Sequence, residues 1–351
     1  MQITTATDDP ATWADATAVP AAKPRDITID SMRGLAILMV IGIHSLPQPL
    51  TANWSIALDA ALRPCVPIFL FASGVMSAGK ADIPLGRRLA TAIVPYMIAF
   101  VAAYAYMALH NASMDHRPHV ALARFGLAYV FVYYYVFVYI GCTVALWLLL
   151  KLVRASGGGH DNLLTFLVVA IGFGLLTGAY LDPLLAKLDV SPSLIEEVRM
   201  RDIPFWFAFL AVGLLIGTFQ LNEFLKGRRS VLLLGVMVSY AIYASVRLWQ
   251  IGDAADYDSL AFFAYSSLAT LALFTVRVAS PALAVLGSGS YFIYLWHIFI
   301  VMALRDHGVF DRFTPAVGFV ISFTATTFMI VLVLACVRHV APAKMLRWIG
   351  A

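Results

Sequence analysis

The chain has 351 residues, of which 61% are hydrophobic and 13% charged, about half the charged share of a soluble domain. With a mean hydropathy of +0.84, it holds more apolar side chains than one water-bounded core can bury, which excludes an ordinary cytosolic enzyme or a secreted scaffold. The net charge of +4 does not imply nucleic acid, because no basic cluster is longer than Lys226, Arg228 and Arg229, and in a membrane protein such charges set topology.

Residues 1–28 are rich in Ala, Thr, Asp and Pro and show no helical or strand period. They read as a disordered cytoplasmic tail and not as a signal peptide. Beyond them, apolar runs close to the roughly 20 residues that cross a bilayer alternate with short polar loops. Ten are expected, over 32–48, 64–79, 89–109, 125–150, 163–181, 203–220, 231–250, 260–279, 285–304 and 315–337. The runs are continuously apolar, without the alternation of a barrel strand, so the expected fold is all-α, a polytopic membrane bundle of about ten transmembrane helices. A transmembrane domain over 29–341 and a short cytoplasmic tail over 342–351 follow from these limits. If both termini are cytoplasmic, Lys and Arg divide about 15 inside to 9 outside, with Arg63 among the outer ones and the loops at 80–88 and 226–229 carrying the bias. That is the sign of the positive-inside rule. Cys65, Cys142 and Cys336 lie far apart within apolar runs and read as buried small residues, not a disulfide framework. Gly213 and Gly217, four apart, fit close helix packing.

Four segments carry the residues able to do chemistry. The first is Asp30-Ser31-Met32-Arg33-Gly34 followed by His44. At 1.5 Å per residue His44 lies roughly 16 Å beyond Arg33, so one helix joins an interfacial cation to a base within the hydrocarbon layer. A histidine is the side chain whose ordinary pKa lies nearest neutrality and can take a proton from a hydroxyl; a packing histidine bonded to a backbone carbonyl is the other reading. The second is Ser290-Tyr291-Phe292-Ile293-Tyr294-Leu295-Trp296-His297, where His297 reaches nearly the depth of His44 and Ser290, Tyr294 and His297 face one way. Two histidines at one depth are placed to share one cavity; Tyr291, Tyr294 and Trp296 also read as packing aromatics. The third is the run Val66 to Gly74, with Ser73-Gly74 as a close-packing pair. The fourth is Arg87-Arg88, a phosphate fork or a plain positive-inside anchor. An outer loop holds His110, Asp115, His116 and His119 without the closed spacing of a structural zinc site, so no metal is expected.

Taken together, the order Asp30-x-x-Arg33-Gly34 with His44, Val66-Pro67-Ile68-Phe69-Leu70-Phe71-Ala72-Ser73-Gly74, Arg87-Arg88 with Pro95-Tyr96, and Ser290 to His297 resembles the acyltransferase 3 family of integral membrane acyltransferases over essentially the whole chain. The resemblance implies a ten-helix domain in the inner (plasma) membrane that takes an acyl group, most often acetyl, from cytoplasmic acyl-CoA and delivers it to a hydroxyl of a cell-surface glycan or related acceptor. It implies His44 as the catalytic histidine and Arg33 as the essential arginine, with Arg88 and Arg87 on the CoA phosphates. Asp30, Ser73, Ser290, Tyr291, Tyr294 and His297 then shape the acceptor or thioester cavity. Acyl-CoA is a substrate here, and no tightly bound cofactor is implied. Family members often carry a further arginine where this chain has Thr91. The competing reading is a proton-coupled secondary transporter or glycan exporter, with His44 and His297 as proton relays and no covalent chemistry.

Overall fold

The computed structural model describes residues 26–351 apart from 112 and 131; the expected tail lies outside the described residues up to position 25. Of the described residues 79% are helical and none is in a strand. Helix α1 (Ile27–Ser45) starts where the Asp26 carboxylate accepts from the Thr28 and Ile29 amides at 2.9 and 3.4 Å, satisfying N–H groups that a helix start leaves open. Positions 26–28, expected as tail, are therefore cap and first turn.

The second crossing, Asn53–Val75, is formed by α2 (Asn53–Leu62) and α3 (Cys65–Val75), which follow one another across a two-residue interruption. Pro64 has no amide hydrogen and its ring opposes a continuing helix, so the interruption falls at Arg63-Pro64. The crossing thus begins at Asn53 rather than at 64, and Arg63, expected among the outer-loop charges, lies inside it with its side chain only 10% exposed. Next come α4 (Leu85–His110), a short α5 (Pro118–Gly126) and α6 (Tyr134–Ala155). The fourth crossing starts at Tyr134 and not at 125, because residues 118–126 fold as a separate helix with no buried side chain.

The chain continues through α7 (His160–Lys187), α8 (Pro192–Arg199), α9 (Ile203–Thr218), α10 (Asn222–Lys226) and α11 (Arg229–Leu248), then α12 (Leu260–Val276). It closes with α13 (Pro281–Ser288), α14 (Ser290–Asp306), α15 (Val309–Arg312), α16 (Pro315–Val340) and α17 (Ala343–Ile349). Among the described residues, nine helical segments are long and apolar enough to cross a membrane, and α13 with α14, bent by 79°, makes a tenth. The ninth expected span, read as one helix over 285–304, is this bent pair. The short tail expected over 342–351 contains α17, which packs against α4 and whose Ile349 carbonyl accepts from Trp296 Nε1 at 3.4 Å.

Lipid offers no hydrophobic drive to bring helices together, so close backbone approach at small residues does that work. A Cβ on Gly74 would collide with the Leu210 carbonyl and one on Gly213 with the Phe71 carbonyl, so α3 and α9 cross in backbone contact, as the spacing of Gly213 suggested. The same holds for α1 and α13, where Gly34 meets the Leu283 carbonyl and Gly287 the Asp30 carbonyl. Ser31 Oγ secures this crossing by donating to the Ser280 carbonyl at 3.1 Å and accepting from its amide at 3.0 Å. The centre of the bundle is α1, α3, α9 and α14, with Ala36, Ile37, Leu70, Ala208 and Leu295 fully buried. Helices α7, α11 and α16 instead turn Val169, Phe173, Met237 and Phe328 outward. Cys65 and Cys142 are buried, but Cys336 is exposed on the outward face of α16, against expectation.

Loops expected on one side of the membrane do meet. Lys151 and Arg154 pair with Asp82 at 3.2 and 3.5 Å, and Arg338 donates to Ser288 Oγ at 3.1 Å. At the opposite end Arg199 clamps Asp182, Asp256 and Asp258, tying α7 and α8 to the start of α12. The Asp82 carboxyl is held below the usual carboxylate range by the Ile83 amide and then by Lys151, which fixes the loop leading into α4.

Candidate active site

Helix α1 places Arg33 in its second turn and His44 as its penultimate residue. Arg33 is held from two sides: Nη2 donates to Ser290 Oγ at 3.1 Å, and Nη1 lies 3.6 Å from Asp30 Oδ1. Ser290 reaches it because the chain bends at Gly289 and restarts as α14. Arg88, in the first turn of α4, donates to Ser77 Oγ at 3.0 Å. Cations at a helix start oppose its dipole, and α4 has no side-chain cap. Its open amides and the arginines beside them favour an anion there.

These residues line one cavity of about 430 Å³, walled by Arg33, Arg87, Arg88, Ser73, Ser290 and Tyr291, with Phe69, Thr91, Tyr135, Tyr139 and Tyr294 among the rest. The Ser73 hydroxyl donates to the Phe69 carbonyl of its own helix at 3.0 Å. Tyr291 donates to the Ala92 carbonyl and Tyr294 to the Val132 carbonyl, each at 2.6 Å, so each hydroxyl is tethered to a backbone carbonyl. Thr91, at the place of the further family arginine, donates to the Arg87 carbonyl at 2.8 Å.

His44 lies outside that cavity. It lines a smaller chamber of about 90 Å³ with Val40, Arg63, Cys65, Tyr134, Trp206 and Tyr257. Tyr135 and Tyr294 line both spaces and meet edge-on, ring centroids 5.5 Å apart. The two tyrosines therefore form the partition between an arginine-lined cavity and a histidine-lined chamber. The His44 and His297 rings lie 5.4 Å apart, but His297 sits behind His44 and is fully buried. Its Nδ1 is 3.0 Å from the Ile293 carbonyl and 2.9 Å from that of Tyr294. Carbonyls only accept, so Nδ1 carries the hydrogen and Nε2 is left as a buried acceptor without a hydrogen-bond partner.

Several residues at the site escaped the sequence reading. Arg305 Nη2 donates to the His44 and Leu46 carbonyls at 3.0 and 3.2 Å, closing the carbonyls that a helix end leaves open and fixing the backbone of His44. Arg63 Nε pairs with Asp59 Oδ2 at 2.8 Å, and Arg247 Nη1 reaches the same oxygen at 2.7 Å. The Arg63 guanidinium stacks on Tyr257, 3.8 Å from the ring centroid. The spacing of Asp59 and Arg63 at i, i+4 was the available signal, since an ion pair of that spacing can lie within a membrane helix. The outer-loop ligand-type residues take other partners: His110 Nδ1 bonds the Tyr106 carbonyl at 2.8 Å, and Asp115 pairs with Arg117.

A family model for the acyltransferase domain of acyltransferase 3 proteins matches residues 26–336, nearly the whole chain. No curated protein and no solved structure matches it significantly. Nine helical segments and a bent tenth apolar enough to cross a membrane among the described residues, an arginine-lined cavity and a histidine chamber on the same first helix accompany that match, and the chain belongs to the acyltransferase 3 family of membrane acyltransferases.

Proposed function

We propose that the protein is an O-acyltransferase of the inner (plasma) membrane that moves an acyl group, acetyl in the simplest case, from cytoplasmic acyl-CoA to a hydroxyl of a cell-surface glycan or related acceptor. The observation that carries this reading is the pair of spaces sharing the Tyr135–Tyr294 wall, one lined by three arginines and the other by a histidine. Arg33, Arg88 and Arg87 suit the phosphates of CoA, because guanidinium groups bind phosphate oxygens as planar forks. The apolar and aromatic remainder of that wall suits an uncharged pantetheine arm. His44 is the general base for the acceptor hydroxyl, a role typically worth about 10² to 10⁴ in rate.

Asp30 and Ser290 orient Arg33, and Tyr291, Tyr294, Ser73 and His297 shape the cavity and its far wall. A proton-relay transporter would have no use for a thioester, so acyl-CoA consumption separates the two classes. The test is the content of alkali-labile esters in envelope glycans and lipids of the host with and without this gene, complemented by wild type or by His44→Ala. Esters lost on deletion and restored by wild type alone support the reading and name the acyl group and acceptor. An unchanged ester profile, with no acyl-CoA turnover by the purified protein, overturns it.

A further inference from the structure

The Arg63 guanidinium has an edge that the fold does not use. Its Nε is taken by Asp59 and its face by Tyr257, yet Nη1 is buried without a hydrogen-bond partner. Leaving a buried donor unsatisfied is costly, and more so for a charged group. The side chain is nine-tenths buried and lines the chamber of about 90 Å³ that also holds His44. Asp59 is shared between Arg63 and Arg247, so this buried trio carries one positive charge beyond its own balance. A donor held by its neighbours, with surplus positive charge, in a small space beside a base, is the arrangement that stabilises a transient negative oxygen.

We propose that Arg63 is a further catalytic residue, the donor that binds the oxyanion of acyl transfer through its guanidinium group. This rests on the proposed reading of His44 as general base. The acceptor oxygen bonds to the thioester carbonyl carbon while its proton passes to His44, and the carbonyl electron pair moves onto oxygen, where Arg63 meets it. The pair then returns, the carbon–sulfur bond breaks, and the departing CoA thiolate takes the proton from His44. Charge stays balanced throughout: the cation formed on His44 is matched by the anion at Arg63. Asp59, Arg247 and Tyr257 act as positioning residues that hold the guanidinium plane.

The test uses purified full-length protein in detergent, with acetyl-CoA as donor, isolated envelope glycan of the host as acceptor, and thiol release as readout. Arg63→Met is expected to lower kcat by about 10²–10³ and to leave the KM for acetyl-CoA near wild type. Arg63→Lys, which keeps the charge but not the fork, is expected to fall between the two. Added guanidinium ion is expected to restore part of the turnover of Arg63→Ala, which a purely structural role would not allow. A kcat near wild type in Arg63→Met overturns the proposal, as does a loss that follows the folded fraction and is not rescued. A rise in acceptor KM with kcat unchanged overturns it too, since Arg63 would then bind the acceptor and not the oxyanion. His44→Ala measured alongside keeps the two readings apart. If it is inactive while Arg63→Met is normal, only the oxyanion assignment falls; if it is as active as wild type, the general-base reading fails and the oxyanion assignment with it.

Discussion

Two helix interruptions lie at the site. The α2–α3 interruption at Arg63-Pro64 leaves its arginine in a chamber of about 90 Å³, held by Asp59 and Tyr257 beside His44. The α13–α14 bend of 79° at Gly289 presents Ser290 to Arg33 in a wider cavity of about 430 Å³. An interrupted helix at membrane depth is tolerated where it is buried in protein or lines a cavity, and each interruption does one of these. The first gives a rigid, charge-rich pocket suited to reaction; the second gives a roomy cationic one suited to holding a charged ligand. Helix α1 joins them, with Arg33 near one end and His44 at the other. Binding and chemistry are thus expected to separate in kinetics according to which end is altered.

The largest effect expected from breaking this division is that of His44→Ala, which should lower kcat by about 10² to 10⁴ while acetyl-CoA KM and membrane abundance stay near wild type. Arg33→Ala should act on the other side. Losing hydrogen bonds from a charged group costs about 1.5–3 kcal/mol, a rise of about 10- to 150-fold in acetyl-CoA KM, read from the same assay. Gly287→Val attacks the frame that sets the bend, because its Cβ would run into the Asp30 carbonyl. Overpacking of this kind costs about 1–3 kcal/mol, seen as a lower midpoint of thermal unfolding in detergent. The smallest change is expected for Ser290→Ala, which removes one bond to Arg33 while Asp30 remains. A loss of about 0.5–1.5 kcal/mol corresponds to roughly 2- to 10-fold in KM.

What the sequence made legible follows from its physics. Long apolar runs and charge-rich loops identified the membrane bundle, and Gly213 marked a close crossing that the structure contains. Arg33, Ser73, Arg87, Arg88, Ser290, Tyr291 and Tyr294 were singled out separately, and the fold gathers them around one cavity. Arg63 was hidden because a charge followed by proline looks like a loop; its neutralising partner Asp59 sits four residues earlier, and Arg247 comes from a distant helix. The bend at Gly289 was hidden because the run from 281 to 306 stays apolar on both sides of it. Arg305 and Tyr135 reach the site only through tertiary packing, which no local period encodes. The partition by Tyr135 and Tyr294 is likewise a property of three-dimensional packing, and it moved His44 out of the cavity that holds the arginines.

The most direct test of the division between the two ends of α1 is a side-by-side determination of kcat and acetyl-CoA KM for wild type, His44→Ala and Arg33→Ala, using purified protein and envelope glycan. His44→Ala is expected to lose kcat at unchanged KM, while Arg33→Ala raises KM and keeps most of kcat at saturation. Equal loss of the same parameter in both variants, or full activity without His44, would contradict it.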